Sequence, residues 1–136
     1  MIQRERGKIL NAFKGTVIVR EGTADKWAYQ IVRGRAEVYT ERAGKRVVLA
    51  RLGPGQFFGE MGLVMDAPRT ASVLATDDCI LRVITRRTFD RLVSKNPKSI
   101  VPLITMLFER LRVMNLKYLM ALESQTSDVP SRRSAA

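Results

Sequence analysis

Between Gly15 and Thr85 the chain is a succession of short β-branched and aromatic runs, each cut off by turn residues before it reaches helix length. Residues 16–20, 27–33, 35–41, 47–52, 70–75 and 79–85 read as strands. The stretch from Glu21 to Asp25, Gly34, Ala43-Gly44-Lys45, Gly53-Pro54-Gly55 and Asp77-Asp78 read as the breaks between them. Ala36, Val38 and Thr40 alternate with Arg35, Glu37, Tyr39 and Glu41, the period-two pattern of a strand with one wet face. A parallel sheet needs crossover connections of a dozen residues or more, and these gaps are too short. The expectation is therefore a mainly β, antiparallel sandwich or barrel. Trp27 and Tyr29 share a strand face and read as packing residues, and Cys79 reads as a small core hydrophobe.

Helical periods flank this region. Residues 1–13 suggest a short lead-in helix with Ile9, Leu10 and Phe13 on one side. After Thr85, a plausible N-cap, Phe89, Leu92 and Val93 form a short apolar stripe that Asn96-Pro97 ends. A long helix is expected over about residues 99–123, with Pro102 in its first turn. Leu103, Leu107, Leu111, Met114, Tyr118 and Leu122 make one apolar seam along it; Ile100, Ile104, Phe108, Leu116 and Leu119 make a second. A helix apolar on two faces at the end of a small domain is expected to find a partner, here a second copy. The division expected is one domain over 1–123 and a flexible tail over 124–136.

Composition removes several classes of function. The 136 residues contain no histidine and one cysteine, so a zinc site, a histidine-dependent triad and an internal disulfide lack raw material. No apolar run reaches the length of a membrane span, and the charged N-terminus lacks the apolar stretch of a signal peptide. The reading is a cytoplasmic protein without a metal or a cofactor. The formal charge of +11 is spread along the chain rather than gathered in one block. It suits an anionic ligand, and it keeps open the alternative of a basic nucleic-acid-binding protein.

The chemistry concentrates in residues 57–73, FFGEMGLVMDAPRTASV. Gly59 and Gly62 permit close backbone approach, and a helix starting near Gly59 offers unpaired N–H groups. Arg69 offers the planar, charge-assisted donors that match a phosphate, with Thr70, the Ala71 amide and Ser72 as further donors. Glu60 is out of place against a phosphate and suits a neutral donor beside it, such as a sugar hydroxyl.

This segment resembles the phosphate-binding cassette of the cyclic-nucleotide-binding domain family, of catabolite-activator and protein-kinase regulatory-subunit type. Phe58-Gly59-Glu60-Met61-Gly62-Leu63 and Pro68-Arg69-Thr70-Ala71-Ser72-Val73 carry the resemblance. Val19-Arg20-Glu21-Gly22, Gly34-Arg35-Ala36-Glu37-Val38-Tyr39 and residues 52–58 extend it over roughly 10 to 120. The resemblance implies an eight-stranded antiparallel β-roll with a short N-terminal helix and two C-terminal helices. It implies a ligand, cAMP or cGMP, with cAMP narrowly preferred. Arg69, Thr70, Ala71 and Ser72 would hold the phosphate, and Gly59, Glu60 and Gly62 the ribose. Met114, Asn115 and Tyr118 are candidate base contacts, and movement of the last helix would be the output. The expected role is a sensor, not an enzyme, acting through an effector protein or a homodimer formed by the C-terminal helix. After the long helix only SQTSDVPSRRSAA remains, so a DNA-binding domain and direct DNA binding are not expected; a fragment of a transcription regulator or of a channel is the alternative origin.

Overall fold

The computed structural model describes residues 8–65 and 67–127. It contains eight strands: β1 (Lys8–Ala12), β2 (Val17–Val19), β3 (Ala28–Arg33), β4 (Ala36–Arg42), β5 (Lys45–Leu52), β6 (Phe57–Phe58), β7 (Ser72–Ala75) and β8 (Cys79–Ile84). A 3-10 turn, Glu60–Leu63, sits between β6 and β7, and two helices follow, α1 (Arg86–Lys95) and α2 (Val101–Ser127). The strands form two four-stranded sheets with orders β1-β8-β3-β6 and β2-β7-β4-β5, and every pairing is antiparallel. This is the expected β-roll.

The core lies between the inner faces of the two sheets. Ile31, Leu81 and Ala75 are wholly buried, and Tyr29, Phe58, Val73, Cys79 and Val83 close around them. β8 shows why the alternation works: Cys79, Leu81 and Val83 point inward while Arg82 stays exposed. β4 departs from the single wet face expected of it. Ala36 and Thr40 are buried, but so is Tyr39. A register shift between Val38 and Tyr39 leaves Leu49 unmatched in β5, and the Arg46 guanidinium lies over the Tyr39 ring at 4.2 Å. The β4–β5 loop needs only Ala43 and Gly44, both with positive φ, so Lys45 already belongs to β5.

The lead-in helix expected over residues 1–13 is not what residues 8–12 form. They pair with β8 from Lys8↔Val83 to Ala12↔Cys79, and a free sheet edge outweighs a weak local helical pattern. Residues 1–7 lie outside the described residues, as do 128–136, where most of the expected tail falls. β6 was legible only as aromatic residues at the head of the chemical segment.

At the end of β8, Thr85 caps α1 as its sequence suggests, its hydroxyl accepting from the Thr88 amide at 3.2 Å. Asn96 closes α1, and Pro97–Ile100 make a 3-10 turn. The chain divides at Ile100 into two compact units, Met1–Ile100 and Val101–Ala136. In the second unit Pro102 stands in the first turn of α2. Phe108, Leu111, Met114, Leu116, Tyr118 and Leu119 are all exposed there, on both of the apolar faces read from the sequence.

Gly34 adopts φ +98°, and a Cβ there would lie 2.4 Å from the Asp78 carbonyl oxygen and 2.8 Å from Cys79 Sγ. Backbone cannot yield as a flexible side chain can, so Gly34→Ala is expected to lose at least about 2 kcal/mol in a urea titration. Burial pushes the Cys79 thiol up, and the thiol donates to the Arg35 carbonyl at 3.2 Å. An aromatic disulfide reagent should therefore label Cys79 only as the protein unfolds, which a labelling time course in urea will show.

Candidate functional site

Arg69 is the buried cation of the roll, only 7% exposed. Its backbone is clamped to the β2–β3 turn: the Arg69 amide donates to the Thr23 carbonyl at 2.8 Å, and the Gly22 amide donates to the Arg69 carbonyl at 2.8 Å. The guanidinium is held as firmly. Nη1 donates to the Gly59 carbonyl at 2.7 Å, and Nη2 donates to the Trp27 carbonyl and stands 3.4 Å from Asp25 Oδ1. Nε is buried and meets no acceptor among the described residues. An unmet buried donor costs about 1–3 kcal/mol.

The two glycines are explained by this guanidinium. A Cβ on Gly59 would lie 3.0 Å from both Arg69 Nη1 and the Trp27 carbonyl oxygen, and the residue has φ +74°. One on Gly62 would lie 2.9 Å from Nη1 and 3.1 Å from the Asp25 carbonyl oxygen. Glu60, half-buried, stands between them at the head of the 3-10 turn. The helix expected to start near Gly59 is only this one turn. Gly62, required by close packing, lowers helix propensity at its centre, so the positive charge of the site comes from Arg69 and not from a helix terminus.

The remaining cassette residues lead from Arg69 into β7. Thr70 is exposed and Ala71 half-buried. Ser72 is buried, and its Oγ accepts from the Glu21 amide at 2.9 Å, which leaves the hydroxyl proton to donate elsewhere. Met114, Asn115 and Tyr118 lie on α2 with exposed side chains. A further tie joins the turn carrying Glu60 to α1: Arg86 Nη1 donates to the Leu63 carbonyl at 2.8 Å, while its Nε donates to Asp90 Oδ1 at 3.0 Å.

Sequence reasoning missed Asp25 and read it as a turn residue. Its Oδ1 accepts from the Trp27 amide at 2.9 Å, a local i to i+2 contact that an aspartate two residues ahead of a strand does suggest. Its partnership with Arg69, across 44 residues of chain, carries no such local signal. Asp25 Oδ2 also accepts from the Tyr29 hydroxyl at 3.4 Å, and the Tyr29 ring stacks on Phe58 with centroids 5.1 Å apart. Trp27, expected to pack beside Tyr29, is instead half-exposed, and it is its carbonyl that serves the site. Among the described residues no group of three or more potential metal ligands occurs, and no helix is long and apolar enough to cross a membrane.

The structure is thus a β-roll with a buried guanidinium lined by two glycines. The cyclic nucleotide-binding domain family model matches residues 10–96, and the chain belongs to that family. It is 37% identical over 100 residues to the cAMP-dependent protein kinase regulatory subunit of Mycosarcoma maydis, covering 65% of this chain and 19% of that protein. It is 31% identical over 105 residues to the cyclic AMP receptor protein of Thermus thermophilus, covering 76% of this chain and 49% of that protein. The crystal structure of the Thermus thermophilus catabolite activator protein superposes with a TM-score of 0.77 at 28% identity, covering 85% of this chain and 55% of that one. The chain thus spans half or less of these curated relatives.

Burial, then the Asp25 carboxylate, pushes the Tyr29 phenol from its ordinary 10.0 up to about 12, against the lowering effect of Arg69. The folded state therefore holds this proton more tightly than the unfolded chain does. The stability it carries is complete below about pH 10 and is lost as pH rises toward 12. Ultraviolet titration should show one of the three tyrosines ionising near pH 12, and Tyr29→Phe should remove that late step.

Proposed function

We propose that the chain is a non-enzymatic sensor of a cyclic nucleotide, cAMP in preference to cGMP, working in the cytoplasm. The observation that carries the reading is the Arg69 guanidinium, buried, fixed by two carbonyls and with an Nε–H that meets no acceptor among the described residues. A cyclic phosphodiester supplies the missing acceptor and a full negative charge. Thr70, the Ala71 amide and the spare Ser72 proton complete the phosphate contacts; Gly59, Glu60 and Gly62 receive the ribose, with Glu60 accepting from a hydroxyl. Both sequence relatives above are named for cAMP, which supports the choice of base.

Met114, Asn115 and Tyr118 are proposed to meet the base from α2. The nucleotide then favours one arrangement of α2 by binding it better, and the helix carries the signal. The Arg86 hydrogen bond to Leu63 gives the cassette a direct mechanical tie to α1, the element that leads on to α2. Aliphatic and aromatic side chains exposed on two faces of α2 support pairing with a second copy or docking on an effector protein.

Calorimetry with cAMP and cGMP tests the site. Hydrogen bonds to charged groups contribute about 1.5–3 kcal/mol each, so Arg69→Ala should weaken binding at least about tenfold. Parent-like affinity in that variant would sink the assignment. Gly62→Ala is a second probe: its backbone is not left-handed, and the new Cβ would press on the guanidinium at 2.9 Å, the Asp25 carbonyl oxygen at 3.1 Å and the Lys26 Cα at 3.2 Å. It should lose both affinity and some thermal stability, and cyclic nucleotide should raise its melting temperature less than it raises the parent's.

A further inference from the structure

The start of α1 breaks a local rule. A helix N-terminus is electropositive and favours carboxylates, yet the first turn of α1 holds no acidic residue and opens on Arg86 and Arg87. Thr85 already caps that turn through the Thr88 amide, so capping does not ask for a cation there. Where a sequence goes against a local preference, a compensating contact elsewhere in the fold is expected. For Arg86 that contact is with the cassette.

Arg86 is exposed but held at two points. Its Nε donates to Asp90 Oδ1 at 3.0 Å, one turn along α1, and its Nη1 donates to the Leu63 carbonyl at 2.8 Å, 23 residues back in the chain. The planar fork makes both bonds at once, which suits a guanidinium better than an ammonium. Leu63 is the last residue of the 3-10 turn that carries Glu60 and Gly62. The last carbonyls of such a turn carry the negative end of its peptide dipoles and accept readily from a cation. The same side chain is thus badly placed for the helix it belongs to and well placed for the turn it reaches.

Both partners are lightly anchored. From Glu60 to Met65 only Leu63 is buried; Met61, Val64 and Met65 are 48%, 62% and 49% exposed. None of the ten residues of α1 is buried. Segments with so few buried contacts open and shift at low cost. A group bound at Gly62, one residue from Leu63, therefore acts on a turn that can respond, and the turn acts on a helix that can follow. The bond is made to backbone, so Arg86 registers where the peptide lies.

We propose that Arg86 is a positioning residue that couples occupancy of the ribose side of the cassette to the order of α1. The proposal rests on the cyclic-nucleotide reading above. Arg86 acts through Leu63, not by touching the ligand. A nucleotide that steadies Glu60 and Gly62 fixes the Leu63 carbonyl, the Arg86 bond is held for more of the time, and α1 opens less. The coupling is reciprocal, so the tie that transmits the signal also adds to affinity.

Hydrogen exchange of the full chain, with and without saturating cAMP, tests this beside calorimetry. In the parent, cAMP should slow the amides of residues 59–72 and also those of Phe89–Asn96, the latter about fivefold or more. In Arg86→Gln the cassette amides should still slow, the α1 amides should not, and affinity should fall about fivefold. Arg86→Lys, which keeps a donor for Leu63, should restore part of the α1 response. Asp90→Asn loosens the guanidinium without removing it; it should reduce the α1 response, and it repeats the test where Arg86→Gln is not folded. A bond with a structural role alone would lower the protection of α1 equally with and without cAMP and leave the ligand-induced difference intact, and that result overturns the proposal. So does a parent in which cAMP slows the cassette amides and leaves α1 unchanged. If calorimetry shows neither cAMP nor cGMP bound and no amide responds, the reading of the site itself fails, and the coupling falls with it.

Discussion

The buried guanidinium of Arg69 is the constraint around which the first unit is arranged. A charge taken out of water must be met by acceptors that do not move, and here they come from two separate stretches of chain: the Gly59 carbonyl, and the turn that supplies the Trp27 carbonyl and the Asp25 carboxylate. Each depends on the roll for its position. β3 starts just beyond Trp27, β6 ends just before Gly59, and the pairing of Tyr29 with Phe58 across β3 and β6 holds the two carbonyl sources together. The backbone bonds of Arg69 to Gly22 and Thr23 fasten the remaining side. The protein has built a rigid positive socket before any ligand arrives, which reduces the ordering that binding must otherwise supply.

The cassette is tied to Asp25, to the β2–β3 turn and, through Arg86, to the start of α1. A change in how the cassette is held therefore has a short physical route to a helix. The second unit is one helix whose apolar side chains are largely exposed, and such surface is stable in water only at a cost that a partner removes.

Much of the fold was legible in the sequence because period-two alternation and turn residues are local signals. Six of the eight strands, the Thr85 cap, the break at Pro97 and the start of the long helix all follow from a few neighbouring residues. The two missed strands had no such signal. β6 is two residues long, and β1 is a strand because β8 has an open edge for it to pair with. The cassette was legible as chemistry: glycines, a carboxylate, a proline and an arginine in close order. That Tyr39 is buried on the face expected to be wet was not, since the bulge at Leu49 and the cover by Arg46 are relations between strands.

The sequence by itself determined that the chain makes short antiparallel strands followed by helices, that it has no histidine-based chemistry, and that residues 59–72 suit a phosphate beside a sugar. Residue type and spacing suffice for those conclusions, because they rest on side-chain chemistry and on periods of two and about 3.6 residues. Only the tertiary structure decided that Arg69 is buried, that Asp25 and the Trp27 carbonyl hold it, and that Gly59 and Gly62 are glycines to make room for it. Those are contacts between groups ten to more than forty residues apart, and no local pattern encodes the distance between them.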